Sequence, residues 1–413
     1  MAKRIVSRMQ AGDESSNLGR VAVLALGVFA VGTGEFVLAG MLPLLMVAFK
    51  ISAMQAGQIV TVFAIICAIA APVLTTLTAT WKRRTVLITA IATYLAGAVG
   101  TALAPTYLSV LLAQAVAAAG VGLFIPNASV TAAALVRKDF QGRAIAIVVT
   151  GFTAAVAVGT PLGTALGGIA GWRMTMWFTA ALAIPGLLGV LVLVPRHVAV
   201  EAPGTLAERL RPLADQRVLA IMATTLVGFT AVFIPYTYVG IIFAPATAES
   251  SVALAALMVT LGVIGAAGNF GAGLLADRIG GARVVAIALV WLAVSTVVLP
   301  WMTAHFGIAV AIIAFYAVAA FAITTPQQHR LMSLRPDAAA VLISLNQAVL
   351  YLAIAMSGIV GAIGIGWIGP QYVSLVAAFL AIVALGISMF ADKRKEPAFM
   401  GTACLKNTHN QNG

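Results

Sequence analysis

Charged residues are scarce in this chain of 413 residues: Lys, Arg, Asp and Glu make up 9% of it, and hydrophobic residues make up 62%. Soluble globular proteins contain about 25% charged residues. A membrane-spanning helix needs about 20 mostly apolar residues, and apolar runs of that length recur between residues 21 and 391. These features exclude a soluble domain on one membrane anchor, and they predict an all-α integral membrane protein.

Residues and motifs that serve metal binding or catalysis are equally sparse. The two cysteines, Cys67 and Cys404, can build neither a disulfide framework nor a metal site. The sequence lacks HExxH, GxSxG and the phosphate-binding GxxxxGK[ST] motif, and it lacks the repeated filter loops and charged rings of channels. We therefore expect no metal, no cofactor, no enzymatic activity and no nucleotide-driven pumping.

The apolar runs number twelve and fall into two sets of six. Their approximate ranges are 21–47, 56–80, 85–104, 107–134, 144–170, 174–194, 217–245, 252–276, 283–302, 306–332, 338–366 and 369–391. The polar segment 195–216 separates the sets, and we interpret it as a linker between two pseudo-symmetric six-helix bundles, 21–194 and 217–391. We expect residues 1–20 and 392–413 to lie outside the membrane. Residues 1–20 are too polar for a signal peptide.

The basic residues predict the orientation in the membrane. Of the 24 Lys and Arg residues, 22 fall on one side of the twelve-span arrangement, and Lys50 and Arg173 fall on the other. Short cytoplasmic loops are enriched in Lys and Arg, so both termini and the linker are expected to be cytoplasmic. The net charge of +12 is then topogenic, and we expect no binding to nucleic acid.

The two halves carry traces of an internal repeat. Pro126 lies in the fourth run and Pro326 in the tenth, and each is followed by a basic turn and a new apolar run. Duplicated six-helix halves are typical of transporters with a binding site near the bilayer midplane.

Of the twelve acidic residues, Glu35 alone is placed well inside an apolar run, and it lies near the middle of the first run. A carboxylate at that depth costs several kcal/mol unless it is protonated or faces a polar cavity. We interpret Glu35 as the proton-coupling residue; the alternative is a protonated side chain that bonds a neighbouring helix for packing.

The fifth run contains small residues at intervals of four. They are Gly151, Ala155, Gly159, Gly163, Gly167 and Gly171. Such a ridge lets another helix approach closely, and Pro161 within it removes a helix hydrogen bond and favours a bend. Plain tight packing is the alternative. The eleventh run has a shorter version of the same spacing, at Gly358, Ala362 and Gly366.

A glycine-rich turn with mixed charges follows the eighth run. Its main residues are Gly273, Asp277, Arg278, Gly280 and Arg283. We interpret it as a cytoplasmic gating loop, although a plain solvated loop would have the same composition.

This loop resembles the signature loop of the major facilitator superfamily, and residues 151–168 resemble the antiporter motif of that superfamily. Residues 33–43 and the Gly171–Arg173 triplet are similar to those of bacterial twelve-helix drug/proton antiporters of the arabinose-, purine- and chloramphenicol-efflux groups. The resemblance covers roughly residues 20–392. It implies the major facilitator fold and proton-driven export across the inner membrane. The chain departs from the pattern at residues 81–84, which lack the usual Asp, and at Gln114, where an Arg is common.

Polar and aromatic residues in several runs are candidates for the substrate cavity, because Asn and Gln facing lipid would be costly. They are Phe36, Gln114, Asn127, Phe229, Tyr236, Asn269, Gln327 and Asn346, with Tyr238, Gln328 and Tyr351 as further members. Each is equally explained by helix–helix hydrogen bonding. We expect a monomer that exchanges a small organic molecule for protons by alternating access; specific efflux of a sugar or purine nucleoside, or uncoupled facilitation, stays open.

Overall fold

The computed structural model describes residues 2–137, 140–196, 198, 211–335 and 338–393, and the regular structure in these ranges is helical. Twelve long helices follow one another along the chain. They are α1 (Ala2–Phe49), α2 (Ala53–Leu77), α3 (Arg83–Leu103), α4 (Tyr107–Ala134), α5 (Gln141–Ala170), α6 (Trp172–Leu193), α7 (Gln216–Thr237), α8 (Ser251–Ile279), α9 (Gly281–Val298), α10 (Phe306–Leu334), α11 (Ala339–Ile368) and α12 (Val373–Lys393). Short helices cover Val239–Ile242 and Ala244–Thr247, and 3-10 turns cover Arg211–Ala214 and Leu299–Trp301.

All twelve long helices contain a stretch that is long and apolar enough to cross a membrane. This confirms the predicted all-α membrane fold. The second helix begins at Ala53, before its apolar run, because Ser52 and Gln55 form a capping box: the Ser52 hydroxyl accepts from the Gln55 N–H at 3.2 Å, and the Gln55 side chain accepts from the Ser52 N–H at 3.0 Å. Such polar first turns are invisible to a hydropathy pattern.

Two glycines end the corresponding helices of the two halves. Gly171 ends α5 with a φ of 86°, and Gly369 ends α11 with a φ of 81°. A positive φ strains residues that carry a Cβ atom, so both turns depend on glycine.

The two halves, α1–α6 and α7–α12, pack against each other mainly through α2 with α11 and through α5 with α8. The Thr61 hydroxyl donates to the Ala355 carbonyl at 3.3 Å, and the Thr164 hydroxyl contacts the Met258 sulfur at 3.3 Å. These contacts lie toward the turn at residues 50–52, on the side of the bundle opposite the chain termini. We call it the closed side and the other the terminal side. The last residue of the predicted linker, Gln216, begins α7, and residues 211–214 before it form a 3-10 turn. Most of residues 195–210 and the tail 394–413 lie outside the described residues.

Candidate functional site

Glu35 lies near the middle of the membrane-spanning part of α1, Gly19–Phe49, with a relative exposure of 9%. Its carboxylate Oε2 accepts a hydrogen bond from the hydroxyl of Tyr351 on α11 at 3.3 Å. Tyr351 is buried and belongs to the other half of the protein. The acid therefore sits at the boundary between the two halves.

Glycine at position 34 fixes how α1 presents this acid. A Cβ atom on Gly34 would lie 1.9 Å from the hydroxyl oxygen of Tyr94 on α3, and that hydroxyl donates to the Ala30 carbonyl at 3.3 Å. The α1–α3 contact thus uses the Gly34 face. Successive helical residues point about 100° apart, so Glu35 is turned away from α3 toward the interface between the halves.

A small cavity of about 20 Å³ opens beside the Glu35 carboxylate. Its lining comes from α1, α2, α7 and α11, and consists of Glu35, Phe36, Leu38, Ala39, Val60, Phe63, Ala64, Phe233, Tyr236, Thr237, Tyr351 and Ile354. This volume holds about one water molecule, whereas pockets for drug-sized ligands measure about 300–1,000 Å³. Because two walls belong to each half, separation of the halves would enlarge the site.

Aromatic rings from both halves pack edge to face next to the acid. Phe36 contacts Phe152 with ring centroids 5.1 Å apart and Tyr236 at 5.7 Å, and Phe233 contacts Tyr236 at 5.7 Å. Tyr236 is 6% exposed, and its hydroxyl has no hydrogen-bond partner among the described residues. A buried hydroxyl without a partner is costly, so a ligand that hydrogen-bonds it gains affinity.

Tyr238 packs between α2 and α11 next to Thr237, a residue of the cavity wall. Its hydroxyl donates to the Gly358 carbonyl of α11 at 2.6 Å, and a Cβ atom on Gly57 of α2 would lie 2.0 Å from the same oxygen. Next to it, the hydroxyls of Thr237 and Ser357 are 3.1 Å apart. The tyrosine fits here because glycine stands opposite it in the other half.

The small-residue ridge of α5 faces α1, the helix that carries Glu35. A Cβ atom on Gly151 would lie 2.2 Å from the Ala25 carbonyl oxygen, and one on Gly159 would lie 2.0 Å from the Thr33 hydroxyl. A Cβ atom on Gly163 would lie 2.7 Å from the Val37 side chain. One on Gly167 would lie 2.6 Å from the Thr175 hydroxyl of α6 and 3.1 Å from the Leu44 side chain. The ridge therefore allows close approach of two helices within the first half.

Pro161 affects the winding of α5 rather than ending it. Residues Ala155–Gly159 form one π-helical turn, in which the Thr160 N–H donates to the Ala155 carbonyl. A π-turn accommodates the hydrogen bond that proline cannot donate. The widened turn also meets the second half, because a Cβ atom on Gly262 of α8 would lie 2.5 Å from the Ala157 Cα atom. The antiporter-motif segment thus contacts both α1 and α8.

Two of the predicted cavity residues lie inside the first half, away from the cavity beside Glu35. Gln114 donates to the Thr101 hydroxyl at 3.0 Å and contacts the Met176 sulfur at 3.6 Å. Asn127 accepts from the Arg83 guanidinium at 3.0 Å and donates to the Leu123 carbonyl at 2.7 Å. In this conformation both amides join helices to one another.

Four more of the predicted residues lie in the second half. Gln327 donates to the Thr225 hydroxyl at 3.0 Å, and that hydroxyl donates to the side-chain oxygen of Asn346 at 2.8 Å. These two hydrogen bonds link α10, α7 and α11. Asn269 accepts from the Thr325 hydroxyl at 2.8 Å. Phe229 stacks on Phe233 at 6.3 Å and so lies behind the cavity wall. Of the eight main candidates from the sequence, Phe36 and Tyr236 line the cavity itself.

The predicted gating loop lies on the terminal side, between α8 and α9. Asp277, Arg278 and Arg283 are exposed, and Asp277 makes no ion pair with a described residue. Gly280 ends α8 with a φ of 88°, and a Cβ atom on Gly281 would lie 2.7 Å from the Pro326 carbonyl oxygen. The glycines shape the turn and let it pack on α10.

Several cavity residues carried no sequence signal. Apolar residues within apolar runs look alike in the sequence, and only the packing of the helices shows which of them face the acid. Those that do include Val60, Phe63, Ala64 and Ile354. Among the described residues, no group of three or more His, Cys, Asp or Glu side chains is placed to hold a metal ion.

Comparison with known proteins decides the family. The family model described as Major Facilitator Superfamily matches residues 24–358. The chain belongs to the major facilitator superfamily. It is 31% identical to the inner membrane transport protein YdhP of Escherichia coli strain K12 over 387 residues, which cover 93% of this chain and 98% of the relative.

Other relatives agree with this assignment. The chain is 34% identical to a chloramphenicol resistance protein of Streptomyces lividans over 272 residues, 64% of this chain and 68% of that protein. A crystal structure of a mutant nucleoside transporter NupG has the same fold, with a TM-score of 0.75 at 14% identity over 91% of this chain and 99% of that one. The protein is therefore a multi-pass membrane transporter of the major facilitator fold, and not an enzyme.

Proposed function

We propose that this superfamily member is a proton-driven exporter of small organic molecules in the bacterial inner membrane, with both termini in the cytoplasm. One observation carries the proposal: Glu35, a buried carboxyl group in a membrane span, lies at the boundary between the halves and contacts Tyr351 of the opposite half. Ionisable groups inside membrane spans commonly serve proton relays. A group at the boundary can meet water on alternate sides as the halves rock.

The cycle follows from the geometry. With the closed side sealed, Glu35 releases its proton toward the terminal side, and substrate enters between the halves. Substrate and proton compete at the same group, because the cavity walls include Glu35 itself and a substrate that enters between the separated halves reaches its carboxylate. When the closed side opens, substrate leaves and a proton from the more acidic exterior binds the carboxylate.

The relatives support export of organic compounds. One is an inner membrane transport protein, and another is a chloramphenicol resistance protein. The alternative of uncoupled facilitation predicts movement of substrate without dependence on a proton gradient.

The test is transport into inverted membrane vesicles with an imposed pH gradient, with chloramphenicol and ethidium as probes. We expect Glu35→Gln to abolish accumulation against a gradient while expression stays normal, because glutamine cannot carry the exchanged proton. Glu35→Asp, shorter by one methylene, should keep partial activity. The matched control is Glu249→Gln, an acid exposed in the α7–α8 connection, which should leave transport unchanged. Gradient-driven accumulation by Glu35→Gln at the wild-type rate would refute the proposal.

A further inference from the structure

We propose that an anionic phospholipid binds the first half on the terminal side, where Lys82, Arg84 and Arg196 hold its phosphate group at the ends of α3 and α6. This lipid site is separate from the cavity beside Glu35, and it does not depend on proton coupling.

The helices α3 and α6 pack side by side up to that end of the bundle. A Cβ atom on Gly186 of α6 would lie 3.1 Å from the Ile91 side chain of α3. Nearer the end, the guanidinium of Arg84 in the first turn of α3 donates to the carbonyl of Leu191 in the last turn of α6. The two helices therefore meet where both of their membrane spans end.

Three basic side chains surround this meeting point. Lys82 directly precedes α3, Arg84 lies in its first turn, and Arg196 follows the end of α6 by three residues. Lys82 and Arg196 are exposed, and Arg84 is half-buried. A guanidinium has five N–H donors, so the bond to Leu191 leaves others for a phosphate. Arginine binds phosphate oxygens through paired N–H groups, and lysine adds a point charge.

The helices around this point carry almost no acidic residues. The sequence has no Asp or Glu in residues 36–138 or 140–200, and Asp139 lies outside the described residues. The adjacent Arg83 is buried, and its guanidinium donates to the neutral amide of Asn127. The turn between α2 and α3 thus carries three successive positive charges without a carboxylate partner among the described residues. An anion bound here lowers their mutual repulsion.

An exposed apolar surface adjoins the basic one. Trp81, beside Lys82, is 47% exposed, and Val192 in the last turn of α6 is 78% exposed. Tryptophan is enriched where membrane helices meet the headgroup region, and basic pockets between membrane helices bind anionic lipid headgroups. A phosphate that carries acyl chains contacts both surfaces, whereas a soluble phosphate contacts the basic surface alone. The combined surface therefore fits a lipid.

The corresponding turn of the second half has a smaller positive charge. Between α8 and α9, Asp277 lies next to Arg278, and Arg283 is the other basic residue, which gives a net charge of +1. Residues 81–84 contain one Lys, two Arg and no acid, which gives +3. The first half is therefore the one that attracts the anionic headgroup more strongly.

The binding test uses the purified full chain in detergent with phosphatidylglycerol, and with phosphatidylcholine of the same acyl chains. Native mass spectrometry counts the retained lipids, and size-exclusion fluorescence follows melting. We expect more phosphatidylglycerol to be retained and the melting temperature to rise by several degrees with it, because a ligand that binds the folded state alone stabilises that state. Glycerol phosphate, which lacks acyl chains, should produce no such rise at the same concentration.

The variant Lys82→Gln, Arg84→Gln, Arg196→Gln removes the three charges. Each lost charge should weaken the retention of phosphatidylglycerol about fivefold, and the preference over phosphatidylcholine should disappear. The matched control removes the same amount of charge from dispersed, exposed positions on the terminal side, and it should keep the preference. Its substitutions are Arg143→Gln, Arg211→Gln and Arg278→Gln.

A second variant separates the charge from the fold, because Arg84 also joins α3 to α6. Lys82→Arg with Arg84→Lys and Arg196→Lys conserves the three charges and should keep the preference for phosphatidylglycerol. Loss of the preference in this variant, or its persistence in the glutamine variant, would overturn the inference. Equal retention of the two lipids by the wild type, an equal loss in the dispersed control, or full stabilisation by glycerol phosphate would also overturn it.

Discussion

The hydroxyl of Tyr351 reaches across the boundary between the two halves and donates a hydrogen bond to the Glu35 carboxylate at 3.3 Å. The contact joins the centre of α1 to α11, one helix from each half. In the alternating-access cycle proposed above, separation of the halves breaks this bond, and we therefore expect it to tie the state of the carboxyl group to the relative position of the halves.

Tyr351→Phe keeps the ring and removes this hydrogen bond, which is worth about 1 kcal/mol. We expect normal insertion and a fall of about three- to tenfold in proton-driven exchange, with fewer protons moved per substrate molecule. Tyr372→Phe, at an exposed tyrosine in the α11–α12 turn, is the matched control. Stoichiometry measured in proteoliposomes separates a coupling role from a structural one, since a packing defect lowers the rate without changing the ratio. An unchanged rate and ratio would remove Tyr351 from the mechanism.

The ridge on α5 gives a graded set of substitutions. Gly159→Leu and Gly163→Leu should impair transport more than alanine does, because bulk at these positions separates α5 from α1; overpacking costs about 1–3 kcal/mol. Gly151→Ala should already be harmful, since its neighbour at 2.2 Å is the Ala25 backbone oxygen, which cannot rotate away.

The control on the same helix is Gly142→Ala, which has nothing within 4 Å of the added Cβ atom. Melting of the detergent-solubilised protein, followed by size-exclusion fluorescence, measures the packing effect alongside transport. Wild-type export and melting with leucine at both ridge positions would show that the ridge contact contributes nothing.

The closed side depends on glycines opposite hydroxyl groups. A Cβ atom on Gly358 would lie 2.3 Å from the Thr61 hydroxyl and 3.0 Å from the Gly57 carbonyl oxygen, so Gly358→Ala should hold α2 and α11 apart. Gly366→Ala is the control on the same helix, because its nearest neighbour lies at 3.9 Å, an ordinary contact.

The measurement is alkylation by a membrane-impermeant maleimide of a cysteine placed at Ser357, which is fully buried here, in a background without Cys67 and Cys404. Gly358→Ala should raise the labelling rate several-fold from the side opposite the termini, and Gly366→Ala should not. Equal labelling in both variants would argue against a seal at this position.

The orientation prediction rests on the distribution of 22 basic residues on one side against two on the other. A reporter fused after Lys393 should be active in its cytoplasmic form, and one inserted after Lys50 should be active in its periplasmic form. A periplasmic signal after Lys393 would reverse the assignment of both termini.

The spans could be predicted from the sequence because length and hydropathy are local properties, and Glu35 stood out because its cost in a membrane is local too. Partners are different. Glu35 and Tyr351 are 316 positions apart, and their contact depends on how two halves pack. Gln114 and Asn127 are polar residues in spans, like Tyr236, but the rotation of each helix turns their amides toward other helices of the same half, Gln114 toward Thr101 and Asn127 toward Arg83. That rotation is set by close glycine contacts such as Gly34 against Tyr94, which no periodicity reveals.

Asp277 provides a prediction about the opposite conformation. It lies near the end of α8 on the terminal side, exposed and without an ion pair among the described residues. The neighbouring helix α5 begins on the same side at Gln141 and carries the exposed Arg143. In the alternating-access cycle proposed above, closing of this side brings the two helices together, and we expect the acid to meet both Arg143 and the positive end of the α5 dipole. Asp277 should therefore stabilise the conformation that opens the closed side.

Asp277→Asn should lower transport a few-fold with normal insertion, because an exposed ion pair contributes up to about 1 kcal/mol. Asp277→Arg should lower transport further, since this substitution places a second positive charge next to Arg143. Arg143→Asp alone should also impair transport, and the double variant Asp277→Arg with Arg143→Asp should recover much of the activity, because the pair is restored with its signs exchanged. The helix dipole opposes full recovery, since it favours the acid on α8. Transport that falls additively in the double variant would show that the two side chains never meet, and Asp277 would then act through the shape of its turn alone.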